Sequence, residues 1–196
     1  MTKSGERLRL FVAVSVPIEV LRALDRAIEP HRAGLPGARW TPVANQHLTL
    51  KFLGSLAAER LPALTEACGG VATGVATGSA AVSGLGAFPN ERRARVLWAG
   101  IDDPDGVFVR LAGGLDARFA ALGFEPEKRS FTPHLTLARL KTPASVRALV
   151  EEVAFRPEPF EVASFHLFRS HLSPKGARYE ILDTFPLAGA GRHQMS

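Results

Sequence analysis

With 196 residues, 46% hydrophobic and 22% charged, the chain has the size and make-up of one compact domain or of two small lobes around a shared core, which excludes a low-complexity or disordered protein. The excess of Lys+Arg (24) over Asp+Glu (19) leaves a net charge of +5, which favours an anionic partner such as a phosphate or nucleic acid. A single cysteine, Cys68, excludes an internal disulfide and disfavours a cysteine-built zinc site, so a reducing, cytoplasmic setting is expected, with Cys68 a small buried apolar residue.

The apolar run LRLFVAVSVPIEVLRAL is broken by Pro17 and Glu19 and has no small-residue cleavage pattern after it, so neither a leader peptide nor a membrane span is expected. It divides into a strand, about Leu8 to Val16, and a helix over residues 18–32 whose apolar positions recur at three and four. A loop holding Pro36, Gly37 and Trp40 leads to the strand QHLTLKFLG, closed by Gly54, and then to a helix over 58–71. Two strands follow, AAVSGLGAF and RVLWAGI, joined by the turn PNERRA. The second half repeats this order with a helix over 106–123, the strand HLTLARL, a helix over 144–153, and a hairpin over 160–185 turned at PKG. The ordered core is expected over residues 8–187 of a single domain, 1–196, with a frayed tail from 188.

The tetrapeptide HLTL occurs twice, at His47 and at His134, and 134 − 47 = 87 residues is nearly half the chain. Two similar, intertwined lobes related by a pseudo-twofold axis follow. In an extended strand, side chains two apart share a face at about 6.5 to 7 Å. His47, Thr49 and Lys51 should project together, with Leu48 and Leu50 turned into a core, and the same holds for His134 and Thr136. Brought side by side, the two strands would line one cleft with two imidazoles and two hydroxyls. A neutral imidazole can take a proton from an attacking oxygen while a protonated one gives a proton to the leaving oxygen. Threonine hydroxyls can hold non-bridging phosphate oxygens, and a guanidinium can stabilise their charge. Arg139 is the best-placed guanidinium, although strict alternation puts it off the face of His134 and Thr136 unless the strand bulges. Neither copy offers Asp, Glu or Cys, so no metal is expected. A lone histidine on an apolar strand is usually structural, but the repetition argues otherwise.

Together with the segments LRLFVAVSVP, HLTLKFLG, ARVLWAG, FTPHLTLAR and FRSHLSPKGARYEIL, the two His-x-Thr copies resemble the two-histidine (2H) phosphoesterases, in the branch of bacterial and archaeal RNA 2′,3′-cyclic phosphodiesterases, also called 2′-5′ RNA ligases. The resemblance implies an α/β (α+β) bilobal fold of two pseudo-twofold-related antiparallel sheets flanked by helices around a central cleft. It also implies opening of terminal RNA 2′,3′-cyclic phosphates to 2′-phosphates, without cofactor or metal, with reversible 2′-5′ joining as a second direction. By carry-over His47 is the proton donor, His134 the proton acceptor, Thr49 and Thr136 hold the phosphate, Arg139 binds it, and Phe88 stacks on the terminal base. Lys51 and Arg95, with Arg92 and Arg93, are further expected substrate contacts; Tyr179 and Arg169 are read as support. His31, His166, His171 and His193 lack the threonine and are read as structural or solvated. The expected partner is RNA with cyclic phosphate ends, such as tRNA halves, with a small cyclic nucleotide or non-catalytic RNA-end binding as alternatives. A monomer with no membrane contact is expected.

Overall fold

The structure is a computed structural model and describes residues 5–155, 158–174 and 176–190. The first strand, β1 (Arg7–Val14), alternates exposed and buried residues and then buries every position from Leu10 on, because both its faces become covered. The helix α1 (Ile18–Ile28) turns Val20, Leu21, Leu24 and Ile28 inward at helical spacing. A short strand, β2 (Ala38–Trp40), lies in what the sequence presents as loop; three residues between Gly37 and Pro42 carry too little periodicity to announce it. Then come β3 (Leu48–Ala57), α2 (Leu61–Ala72) with Pro62 in its first turn, β4 (Gly78–Phe88) and β5 (Ala94–Asp102). The helix α3 (Val107–Ala121) starts at Gly106, and the Asp103 carboxylate caps it by accepting from the Val107 and Phe108 amides at 2.7 and 2.9 Å. The strand β6 (His134–Ala144), helix α4 (Arg147–Glu152) and strands β7 (Pro159–Val162), β8 (Ser164–Ser173) and β9 (Gly176–Pro186) complete the chain. The segment FEVASFHLFRS, which reads as one arm of a hairpin, is thus split between β7 and β8. Ala188, at the start of the tail, is held by hydrogen bonds with Ala72, Val75 and Thr77; residues 191–196 of that tail, with His193, lie outside the described residues.

The nine strands among the described residues form one sheet in the order β7-β4-β5-β6-β3-β1-β8-β9, with β2 beside β6. Two halves are evident. One is β3-β1-β8-β9, the other β6-β5-β4-β7, and they meet at a single residue pair, Leu48 with Leu135. The expected pair of sheets is therefore realised as two sheet halves sharing one seam. The chain order β1-α1-β3-α2-β4 recurs as β5-α3-β6-α4-β8. In each repeat the last strand crosses over: β4 pairs with β5 of the second repeat and β8 with β1 of the first. Helices cover one face of the sheet, and the main core runs between, with Leu48, Leu64, Cys68, Leu111, Leu115, Phe119 and Leu135 fully enclosed. Burial pushes the Cys68 thiol up to about 12, so it packs as an apolar group.

A bulge in β3 overturns one expectation. Ala13 pairs with Thr49 and Val12 with Lys51, so Leu50 is the extra residue and the side chains after it change face, until a second register shift at Leu53 restores the original alternation. Lys51 therefore leaves the face of His47 and Thr49 and lies under the sheet, 5% exposed. Its ammonium is 2.6 Å from Asp116 and 3.2 Å from Glu127, and donates to the Glu125 carbonyl at 3.1 Å. Burial opposes the charge, yet these two carboxylates outweigh it and hold the Lys51 pKa above its ordinary value. The hydrogen bond from Lys51 chiefly lowers that of Asp116. The stability this carboxylate contributes is present above the ordinary Asp range and is lost as pH falls through its depressed native value. Asp116→Asn strips one partner from a buried charge and should cost about 3 kcal/mol, the low end for such a loss because Glu127 remains. Urea unfolding checks this; a loss below about 1 kcal/mol would show that Lys51 does not depend on the pair.

Candidate active site

The seam between the halves fixes the site. Leu48 and Leu135 are both fully buried and face the helices. Extending their antiparallel register by one residue sets His47 beside Thr136 and His134 beside Thr49, all four on the opposite face. The two imidazole-bearing residues are then diagonal neighbours, about 7–8 Å apart at the backbone.

Each histidine is oriented in the same way. His47 Nδ1 donates to the Asn45 carbonyl at 2.9 Å, and His134 Nδ1 donates to the Thr132 carbonyl at 2.8 Å, two residues upstream in both cases. A carbonyl can only accept, so it selects the tautomer with the proton on Nδ1 and leaves Nε2 as the working nitrogen. Asn45 also donates its side-chain amide to the Ala177 carbonyl at 2.8 Å, which ties the β8–β9 hairpin to the residue that orients His47.

The two rings have different surroundings. His47 stacks on Phe11 at 4.7 Å and meets Tyr179 edge-on at 5.0 Å, with Phe168 at 6.0 Å. Phe11, Ala13 and Phe168 form a small apolar cluster separate from the main core, with Tyr179 against it. His134 has edge contacts to Phe88 at 5.4 Å and Trp98 at 6.2 Å. Trp98 can lie across β4 only because Gly86 has no side chain, since a Cβ there would come within 2.4 Å of the indole. The enclosure of His47 disfavours its charged form and lowers its pKa, with the Asn45 bond opposing in part.

The bulge of β3 recurs in β6. Trp98 pairs with Thr136 and Leu97 with Ala138, so Leu137 is the extra residue, and Arg139 returns to the face of His134 and Thr136 opposite Val96. That resolves the alternation problem. The equivalent residue in the first repeat is Phe52, which is 64% exposed and 6.1 Å from Phe11. The site thus has a guanidinium at one end and an aromatic ring at the other.

His47, Thr49, His134, Thr136, Arg139 and Phe88 come together; Lys51 does not. Arg95 sits where the β5–β6 register breaks, and its guanidinium donates to the Lys141 carbonyl at 3.3 Å, away from both histidines. Arg92 lines a shallow cavity of about 610 Å³ with Trp98 and Arg147, and Arg93 is exposed. Arg169 pairs with Glu6 at 2.7 Å, His171 with Glu180 at 2.6 Å and His31 with Glu152 at 3.5 Å. His166 is unexpected: it pairs with Ala13, which pairs with Thr49, so it occupies the site face, held by the Thr184 hydroxyl at 2.9 Å. Sequence reading also missed Phe11, Phe52, Trp98, Phe168 and Asn45. Alternation along RVLWAG could have placed Trp98; the others depend on strand exchange and the bulge. Among the described residues no group of three or more His, Cys, Asp or Glu is arranged to hold a metal ion.

The model of the LigT-like phosphoesterase family matches residues 14–98 and 101–179, two segments that each contain one His-x-Thr copy. An RNA 2′,3′-cyclic phosphodiesterase of Thermus thermophilus is 40% identical over 196 residues, covering 95% of this chain and 94% of that one. The Escherichia coli protein of the same name is 30% identical over 189 residues, 93% and 98% of the two chains. Among solved structures, TT0787 of Thermus thermophilus superposes with a TM-score of 0.77 at 36% identity over 95% of this chain and 100% of the other. Escherichia coli LigT in complex with 3′-AMP gives 0.71 at 28% identity over 93% and 99%.

Burial of His47 sets its titration. Its NMR-monitored midpoint in the free protein should fall below the ordinary 6.5. Because the native value is depressed, the stability linked to this ring is full above pH 6.5 and is lost as pH falls through the lower native pKa. A midpoint at or above 6.5 would contradict the enclosed environment.

Proposed function

The chain belongs to the LigT-like phosphoesterase family, the two-histidine phosphoesterases, and from that premise we propose that it opens the 2′,3′-cyclic phosphate at the end of an RNA strand to leave a 2′-phosphate. The observation that carries this reading is the pair of imidazoles on one face of two joined strands, each with Nδ1 tied to the carbonyl two residues before it and Nε2 left free. Two such rings supply an acid and a base across one phosphorus atom.

In this mechanism His134 Nε2 takes a proton from water as the water oxygen bonds to phosphorus. The bond from phosphorus to the 3′-oxygen breaks, and His47 Nε2 gives its proton to that oxygen, which leaves a free 3′-hydroxyl and a 2′-phosphomonoester. Proton exchange with solvent resets both rings. Burial makes the His47 imidazolium a stronger acid, and the bound phosphodiester anion restores its proton before the reaction. Thr49 and Thr136 donate to the non-bridging oxygens, and Arg139 stabilises the charge that grows there. Phe88, 40% exposed beside His134, gives the terminal base a stacking surface. A ribose 5′-hydroxyl in place of water would make the same machinery a 2′-5′ ligase. Each relative above carries the name of the hydrolytic activity, and 3′-AMP occupies the Escherichia coli protein.

A short RNA ending in a 2′,3′-cyclic phosphate should yield only the 2′-phosphate, at a rate unchanged by chelator. His47→Ala and His134→Ala should each lower kcat by about 10²- to 10⁴-fold. A variant that retains the wild-type rate, or loss of activity in chelator, would overturn the two-histidine mechanism.

A further inference from the structure

Beyond the seam, β6 changes partner: past Leu135 its neighbour is no longer β3 but β2, whose Arg39 stands directly opposite Arg139. Residues directly opposite in antiparallel strands share a face, so the two guanidiniums stand side by side on the face of the histidines. Both are exposed, and among the described residues neither has a carboxylate or carbonyl partner. Like charges directly opposite each other destabilise a sheet. A substrate that brings one phosphate to each would remove that cost.

The position of this pair is specific. Trp98 and Val96 are two residues apart on β5 and face Thr136 and Arg139 respectively, so the Arg39–Arg139 row lies one same-face step, about 6.5 to 7 Å, beyond Thr136. That is the span of a single nucleotide. The wall behind Arg39 is the β8–β9 hairpin, where a Cβ on Gly176 would be 3.8 Å from the Arg39 guanidinium, and the Asn45 amide anchors the same hairpin at Ala177.

We propose that Arg39, across the strand pair from Arg139, forms a second phosphate subsite that takes the 5′-phosphate of the nucleotide bearing the cyclic phosphate, while Arg139 holds the cyclic phosphate itself. This deepens the functional reading above and rests on it. The subsite distinguishes an RNA end, which always carries that phosphate, from a nucleoside cyclic phosphate, which lacks it. Arg39 is a specificity residue, with no part in proton transfer.

The test uses two substrates, a nucleoside 2′,3′-cyclic phosphate and the same compound with a 5′-phosphate, and three proteins: wild type, Arg39→Ala and Arg39→Lys. Wild type should show a KM about tenfold lower for the 5′-phosphorylated compound, the worth of one charge-assisted contact, and salt should erode that preference. Arg39→Ala should abolish the preference with kcat intact on both substrates, and Arg39→Lys should keep part of it. A preference that survives in Arg39→Ala, an equal loss on both substrates, or no preference in wild type would overturn the subsite. Wild type active on the cyclic-phosphate RNA but on neither compound would overturn the subsite alone, and inactivity on all three would overturn the functional reading and the subsite with it.

Discussion

The contact on which the molecule depends is the backbone pairing of Leu48 with Leu135. It is the one residue pair that joins β3 to β6, and both leucines are fully buried on the helix side. Because side chains alternate along a strand, burying these two leucines forces the flanking histidines and threonines to the other face. A longer ladder would flatten the two halves into one another. One pair lets them diverge beyond the seam, so that a concave face opens with an imidazole from each half beside it.

A symmetric frame alone would give two equivalent ends. The repeated bulge, at Leu50 and at Leu137, is where the copies separate in chemistry. In the first copy it sends Lys51 under the sheet to Asp116 and brings Phe52 up; in the second it buries Ala138 and brings Arg139 up. The same backbone device therefore delivers an aromatic ring on one side and a cation on the other. Strand exchange does the rest, since Phe168 reaches the His47 side on β8 and Phe88 the His134 side on β4. Enclosure by Phe11, Tyr179 and Phe168 then disfavours the charged form of His47 and lowers its pKa.

Much of this was legible in the sequence because it is local. The duplicated His-x-Thr, the alternation on each side of it and the order of strands and helices all lie within short windows, and the helices of residues 18–28, 61–72 and 107–121 follow from their periodicity. The misplacement of Lys51 has a definite cause: a bulge adds one residue without altering composition, and alternation counted through it gives the wrong face. The same bulge removes the alternation objection to Arg139. Asn45, Phe11 and Arg39 were out of reach because their relevance comes from partners far along the chain, namely Ala177, His47 and Arg139.

The central claim is that both imidazoles serve one ligand. The most direct measurement is a titration of the protein with inorganic phosphate while the Nε2 resonances of His47 and His134 are followed by NMR. The account predicts that both shift together and fit one shared dissociation constant, since the pairing of Leu48 with Leu135 sets His47 and His134 as diagonal neighbours on one face. Two unequal constants, or a response from only one ring, would mean that the repeated motif builds two separate sites, and the paired acid and base would have to be abandoned.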